Sequence, residues 1–162
     1  MHPKRKIVSQ LGELSRICRV HRNKGKLIVL TSGCFDLLHG GHLHYLCDAA
    51  ELGFLVVGIN SDRSVKKLKG DGRPVRGEAD RAFTMAGFAP VRLVAVFDDD
   101  CELIAAVEPD FYVASATSRI RVWDDPDRIA LLTKLGTKVL EIDSKKQDST
   151  TDMIKRAACG RS

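Results

Sequence analysis

Long apolar runs are missing from this chain. No stretch approaches the roughly 18 consecutive apolar residues that a membrane-spanning helix requires. Apolar stretches such as Leu27–Leu30 and Phe54–Val57 have the length of strands. Cysteine is scarce and unpatterned. Cys18, Cys34, Cys47, Cys101 and Cys159 make an odd set with no C-x-x-C, which fits free thiols in a reducing compartment better than a disulfide framework. Aromatic residues are 6% of the sequence, too few for the stacking platforms of a single-strand nucleic-acid binder. Repeats and low-complexity tracts are absent. So is the phosphate-loop pattern G-x-x-x-x-G-K-[ST]. The basic start, Met1–Lys6, runs into the mixed Ile7–Val20 and not into an apolar core, so no leader is read and a cytoplasmic location is expected.

What remains is an ordinary globular composition. Apolar residues are 44% and charged residues 29% of 162, which suits one folded domain over residues 1–162. The net charge of +5 is modest, and part of it gathers in Lys4–Lys6 and Lys66–Arg76. Such a balance suits a phosphorylated small molecule, and neither nucleic acid nor a membrane is expected as partner.

Periodicity gives the elements. Ile7, Leu11, Leu14, Ile17 and Cys18 fall at helical spacing and predict an amphipathic helix over Lys4–His21, an addition to the core within residues 1–25. Strands follow at Lys26–Thr31, Phe54–Asn60, Val91–Phe97, Asp110–Ala114 and Lys138–Ile142. Helices are expected at His42–Leu52, Arg63–Leu68, Glu78–Ala89, Asp100–Val107, Asp127–Leu135 and Thr150–Ala158. Gly70–Gly77, with three glycines and a proline, cannot be regular. Strands alternating with helices predict an α/β protein: a Rossmann-like open parallel sheet of about five strands with helices on both faces. In such sheets ligands bind beyond the carboxyl ends of the strands, and so among the loops that follow them.

The first of these loops carries the chemistry. Thr31-Ser32-Gly33-Cys34-Phe35-Asp36-Leu37-Leu38-His39-Gly40-Gly41-His42 places two histidines three apart around a glycine pair, after a strand and at a helix start. Glycines let backbone approach a ligand, and a helix N-terminus favours an anion. Two imidazoles there can donate hydrogen bonds to one phosphate. A metal reading of His39, His42 and His44 is weaker, because His42 and His44 lie two apart and diverge on a helix, and no ligand stands at zinc spacing. No dedicated metal site is expected, and His44 reads as a surface residue.

This loop resembles the H-x-G-H signature of the nucleotidyltransferase superfamily, in the G-x-F-D-x-x-H-x-G-H form of its cytidylyltransferase-like branch. Lys66-Lys67-Leu68-Lys69-Gly70-Asp71-Gly72-Arg73-Pro74-Val75 is similar to the K-x-L-K-G-x-x-R-P-V segment of bacterial heptose-1-phosphate adenylyltransferases. Glu78…Arg81 stands where those enzymes begin a helix with E-x-R, and Ser149-Thr150-Thr151 opens a segment similar to their closing S-T-T-x-x-I-K. The resemblance covers about residues 27–158, in order.

The resemblance implies transfer of a nucleoside monophosphate, most simply AMP from ATP, to a sugar 1-phosphate, with pyrophosphate released. Its implied roles fall on residues of this chain. His39 and His42, with Lys69, act on the triphosphate and the transition state. Ser32, Gly33, Cys34, Phe35, Gly41, Ser149, Thr150 and Thr151 bind nucleotide and phosphate. Asp36, Lys66 and Arg81 meet the acceptor. For Asp36 a contact to acceptor or metal is expected, with a turn-capping role as the alternative, and Ser149 with Asp152 also fits a capping box. Mg²⁺ is implied as companion of the triphosphate, and a homodimer as the assembly.

One segment departs from the resemblance. Where the heptose-1-phosphate enzymes carry K-G-x-D-Y, this chain reads Ala114-Ser115-Ala116-Thr117-Ser118-Arg119. Trp123, shortly after, is open to stacking on a base or sugar, to packing, or to a dimer contact. Two further readings therefore stand beside the adenylyltransferase. One is a CTP-dependent enzyme for glycerol 3-phosphate or another small phosphorylated or phosphonate acceptor. The other is a nucleotide-binding regulator without catalysis.

Overall fold

The computed structural model describes residues 2–116 and 122–142. Six strands form one parallel sheet in the order β1-β4-β3-β2-β5-β6. They are β1 (Ile7–Val8), β2 (Ile28–Gly33), β3 (Phe54–Asn60), β4 (Leu93–Phe97), β5 (Phe111–Ser115) and β6 (Lys138–Ile142). The helices are α1 (Leu11–Asn23), α2 (Gly40–Glu51), α3 (Asp62–Lys69), α4 (Glu78–Gly87), α5 (Asp100–Val107) and α6 (Pro126–Leu135). The α/β parallel-sheet expectation holds, with one strand more than expected. Among the described residues no helix is long and apolar enough to cross a membrane.

The additional strand corrects the N-terminal reading. Residues Pro3–Lys6 form a 3-10 turn, Ile7–Val8 a strand, and the helix begins only at Leu11. Ile7 lies four residues before Leu11, so it satisfies helical spacing while pairing with Val94 as a strand residue. Val8 pairs with Ala95 and is buried. Lys6 Nζ donates to the Phe88 carbonyl at 2.9 Å and fastens the turn to the end of α4.

Each buried strand alternates its side chains between two cores. Ile28 and Leu30 face one core with Leu14 and Cys18 of α1, Leu103, Ile104 and Val107 of α5, and Leu132 of α6. Val29 faces the other, with Tyr45, Leu46 and Ala49 of α2 and Ala82, Met85 and Ala86 of α4. Helix ends follow local chemistry. Asp99 caps α5 by accepting from the Cys101 and Glu102 amides, and Asp125 caps α6 through the Asp127 and Arg128 amides, with Pro126 in the first turn. Gly136 ends α6 in the left-handed region, at φ 69°.

The strand order positions the site. From central β2 the chain winds outward through β3 to β4, then crosses back to β5 on the other side of β2 and continues to β6. The direction of winding therefore reverses between β2 and β5, and the crevice at their carboxyl ends is where an open α/β sheet takes its ligand.

Candidate active site

The loop after β2 leaves the sheet at this reversal. Phe35 adopts a left-handed backbone, φ 43°, and its ring folds back over Gly33. A Cβ at position 33 would lie 3.1 Å from that ring, a close approach that would press the ring outward. The loop ends at His39, the residue before α2, and His42 follows in the first turn. Their ring centroids are 4.0 Å apart. The His39 amide donates to His42 Nδ1 at 3.4 Å, and the His42 amide donates to the His39 carbonyl at 3.0 Å. Because Nδ1 accepts, the neutral His42 ring keeps its proton on Nε2, where it is a donor. Burial lowers the His42 pKa to about 4, with positive charge from His39 and Lys69 acting in the same direction.

Lys69, the last residue of α3, reaches this loop from the side. Its ammonium stands close enough to the Cys34 thiol to favour the thiolate. Burial pushes that thiol up, while Lys69 and Arg81 oppose the shift. Lys66, one turn earlier on α3, is exposed and pairs with Asp71 at 3.1 Å. The structure thus brings His39, His42, Cys34 and Lys69 together and leaves Lys66 on the outer face of the arm.

Asp36 and Arg81, both expected at the acceptor, are engaged by the protein itself. Asp36 is 3% exposed. Its carboxylate takes Arg73 Nη1 at 2.7 Å, the Val75 amide at 2.9 Å and the Arg76 amide at 3.1 Å. It therefore clamps the irregular segment 70–77 onto the histidine loop. Burial alone would raise its pKa; the Arg73 guanidinium and the two amides outweigh that and hold it below the ordinary carboxylate value.

Arg81, on α4, is 1% exposed. It donates to the carbonyls of Cys34 at 2.5 Å, Asn60 at 2.7 Å and Arg76 at 2.9 Å, and to Asp62 Oδ1 at 2.8 Å. One guanidinium joins the first loop, the end of β3 and segment 70–77, and four of its five N–H groups are taken up by the protein itself. Arg76 in turn pairs with Asp80 at 2.7 Å.

Ser32 also differs from expectation. It lies on β2 with its hydroxyl 2.6 Å from Tyr112 Oη, within reach of Asp100 on the α5 and α6 face. Tyr112 Oη donates to Asp100 Oδ2 at 3.2 Å, and Arg128 Nε sits 2.8 Å from the same carboxylate oxygen. This buried network is invisible to sequence reasoning, since nothing in the spacing links Asp100 to Arg128. Gly41 is buried in the first turn of α2. Ser149, Thr150 and Thr151, with Arg119, lie outside the described residues.

Among the described residues no three His, Cys, Asp or Glu side chains gather to hold a metal. Asp36, the acid within the loop, is engaged by Arg73 and two amides.

Comparison with known proteins gives this geometry its family. The family model described as cytidylyltransferase-like matches residues 30–156. The chain belongs to the cytidylyltransferase-like family. As a member it is a nucleotidyltransferase. Among curated members of similar sequence, the bifunctional protein HldE of a Nitratiruptor species is 38% identical over 95% of this chain and 32% of its own length. HldE of Campylobacter fetus subsp. fetus (strain 82-40) is 43% identical over 94% of this chain and 31% of its own length. The chain thus spans about a third of the length of these relatives. Among solved structures, a lipopolysaccharide core biosynthesis protein from Thermoplasma volcanium GSS1 superposes with a TM-score of 0.63 at 26% identity, over 76% of this chain and 100% of that one. A pantoate-beta-alanine ligase from Francisella tularensis shares the fold, with a TM-score of 0.61 at 12% identity over 90% of this chain and 68% of that one.

Proposed function

We propose that this nucleotidyltransferase moves AMP from ATP to a sugar 1-phosphate of the heptose type and releases pyrophosphate. The observation that carries the reading is the pair of imidazoles 4.0 Å apart at the tip of α2, beside Lys69 and at the reversal of the sheet. The HldE relatives and the Lys66–Val75 resemblance support the acceptor class.

The chemistry suits these groups. A phosphate monoester has its second pKa near ~6, so at pH 7 the acceptor is already an anionic nucleophile and needs no general base. Its oxygen bonds to the α-phosphorus, the bond from that phosphorus to the β-bridging oxygen breaks, and pyrophosphate carries off the electron pair. The protein holds the partners in line and stabilises the charge that develops on the phosphates. His42 donates from Nε2 while neutral, so it binds the phosphates without first taking a proton from solution. Lys69 supplies full positive charge. Mg²⁺ suits a site with this donor set as an ion carried on the triphosphate and water, where it neutralises phosphate charge. A phosphorylated acceptor, a nucleoside triphosphate and a homodimeric assembly complete the proposal, over one domain spanning the chain.

The test is pyrophosphate release with ATP, CTP, GTP and UTP, each against heptose 1-phosphate, glycerol 3-phosphate and other phosphorylated acceptors. The expected result is release that requires both substrates and is fastest with ATP and the sugar 1-phosphate. Fastest release with CTP and glycerol 3-phosphate would move the enzyme to the other acceptor class. Nucleotide binding with no release from any pair would make it a regulator.

A further inference from the structure

We propose that Trp123 is the platform on which the nucleobase stacks, an inference that rests on the nucleotidyl-transfer reading above. Trp123 is the sole tryptophan. It sits in the 3-10 turn Val122–Asp124, between β5 and α6, and so on the carboxyl side of the sheet where the candidate site lies. Its side of the sheet is also known. Indole Nε1 donates to Glu141 Oε1 at 3.0 Å, and Glu141 pairs with Ala114 near the end of β6. The polar edge of the ring is thereby satisfied, yet the residue stays 51% exposed. A tryptophan held by its edge with this much apolar surface in water suits a flat ligand better than a core.

Position and charge say which part of the nucleotide reaches it. Strands β2 and β6 are separated by β5. At about 4.8 Å per strand, the edge from the end of β2 to Glu141 spans about 10 Å. The phosphates are drawn to the β2 end, where His39, His42 and Lys69 converge. A nucleotide lying along the carboxyl edge therefore sets its anionic end on the imidazoles and its uncharged end against the indole.

Calorimetric titration of the full chain with ATP and with tripolyphosphate, which has no base, tests the proposal. Trp123→Ala is expected to weaken ATP binding about tenfold or more, in keeping with base–aromatic stacking, and to leave tripolyphosphate affinity unchanged. Trp123→Phe should retain most of the ATP affinity and Trp123→Leu should lose it, which separates stacking from filling space if the alanine variant does not fold. In the unsubstituted chain, ATP should quench indole fluorescence and tripolyphosphate should not. Unchanged ATP affinity in Trp123→Leu would overturn the proposal while leaving nucleotidyl transfer standing. So would a change of oligomeric state in sedimentation with ATP affinity intact, since the ring would then be a subunit contact. An unsubstituted chain that binds neither ligand would overturn this proposal and the function together.

Discussion

His42 concentrates the residue-scale argument. Its Nδ1 takes the His39 amide and its ring lies against the edge of Phe35, with centroids 5.6 Å apart. Burial holds its pKa at about 4, against an ordinary value of 6.5. The unfolded chain therefore binds a proton at this residue between pH 6.5 and 4 while the folded chain does not, and stability falls as pH drops through that window. In thermal melts across about pH 4.5–7.5, His42→Asn should flatten this part of the profile. The same variant should lose about 10²–10³ in pyrophosphate release, the usual cost of removing a donor aimed at developing charge. Turnover near that of the unsubstituted enzyme would remove His42 from the machinery. Both histidines were legible in the sequence because their spacing around Gly40-Gly41 is local. Asp36 and Arg81 were not. An acid and a base beside a phosphate loop read as ligand contacts, whereas the partners that occupy Asp36 lie 37 to 40 residues further along. No periodicity announces a return over that distance.

At the scale of elements, the segment between α3 and α4 shows how an irregular stretch becomes part of a site. Residues 70–77 have no ladder of their own, and their order comes from Asp36 below and Arg81 behind. Asp36→Ala should free the arm. The Val75 and Arg76 amides should then exchange with solvent faster, and trypsin should cut after Arg76 under native conditions. An arm as protected as in the unsubstituted chain would show that other contacts hold it. The glycines and proline made the irregularity of this segment legible, but not its anchorage. Element boundaries were read well wherever a cap marked them, as at Asp99 and before Pro109. The reading failed at the N-terminus, because two β-branched residues at helical spacing from Leu11 can serve either structure. Their choice was made by the exposed edge of β4, which only the folded sheet supplies.

At the scale of the molecule, the two halves of the sheet meet over β2, and one buried ion pair ties the helices that follow them. Asp100 opens α5 and Arg128 lies in the first turn of α6; their side chains are 11% and 13% exposed. Burial raises the Asp100 pKa, and Arg128, Ser32 and Tyr112 counter it. Arg128→Met should destabilise the fold by about 3–5 kcal/mol, because it leaves a buried carboxylate without its partner. Adding Asp100→Asn should recover much of that loss, as read from chemical denaturation of the single and double variants. Equal loss in the double variant would mean that Arg128 acts by packing alone.

The edge strand at Ile7–Val8 carries a consequence for how the chain comes into being. Its ladder partners are Val94 and Ala95, and Lys6 is fastened to Phe88. On a ribosome adding about 5–20 residues each second, Ile7 and Val8 emerge several seconds before Val94 and Ala95 exist to pair with them. They wait unpaired while β2, β3 and β4 assemble, and close the border of the sheet only afterwards.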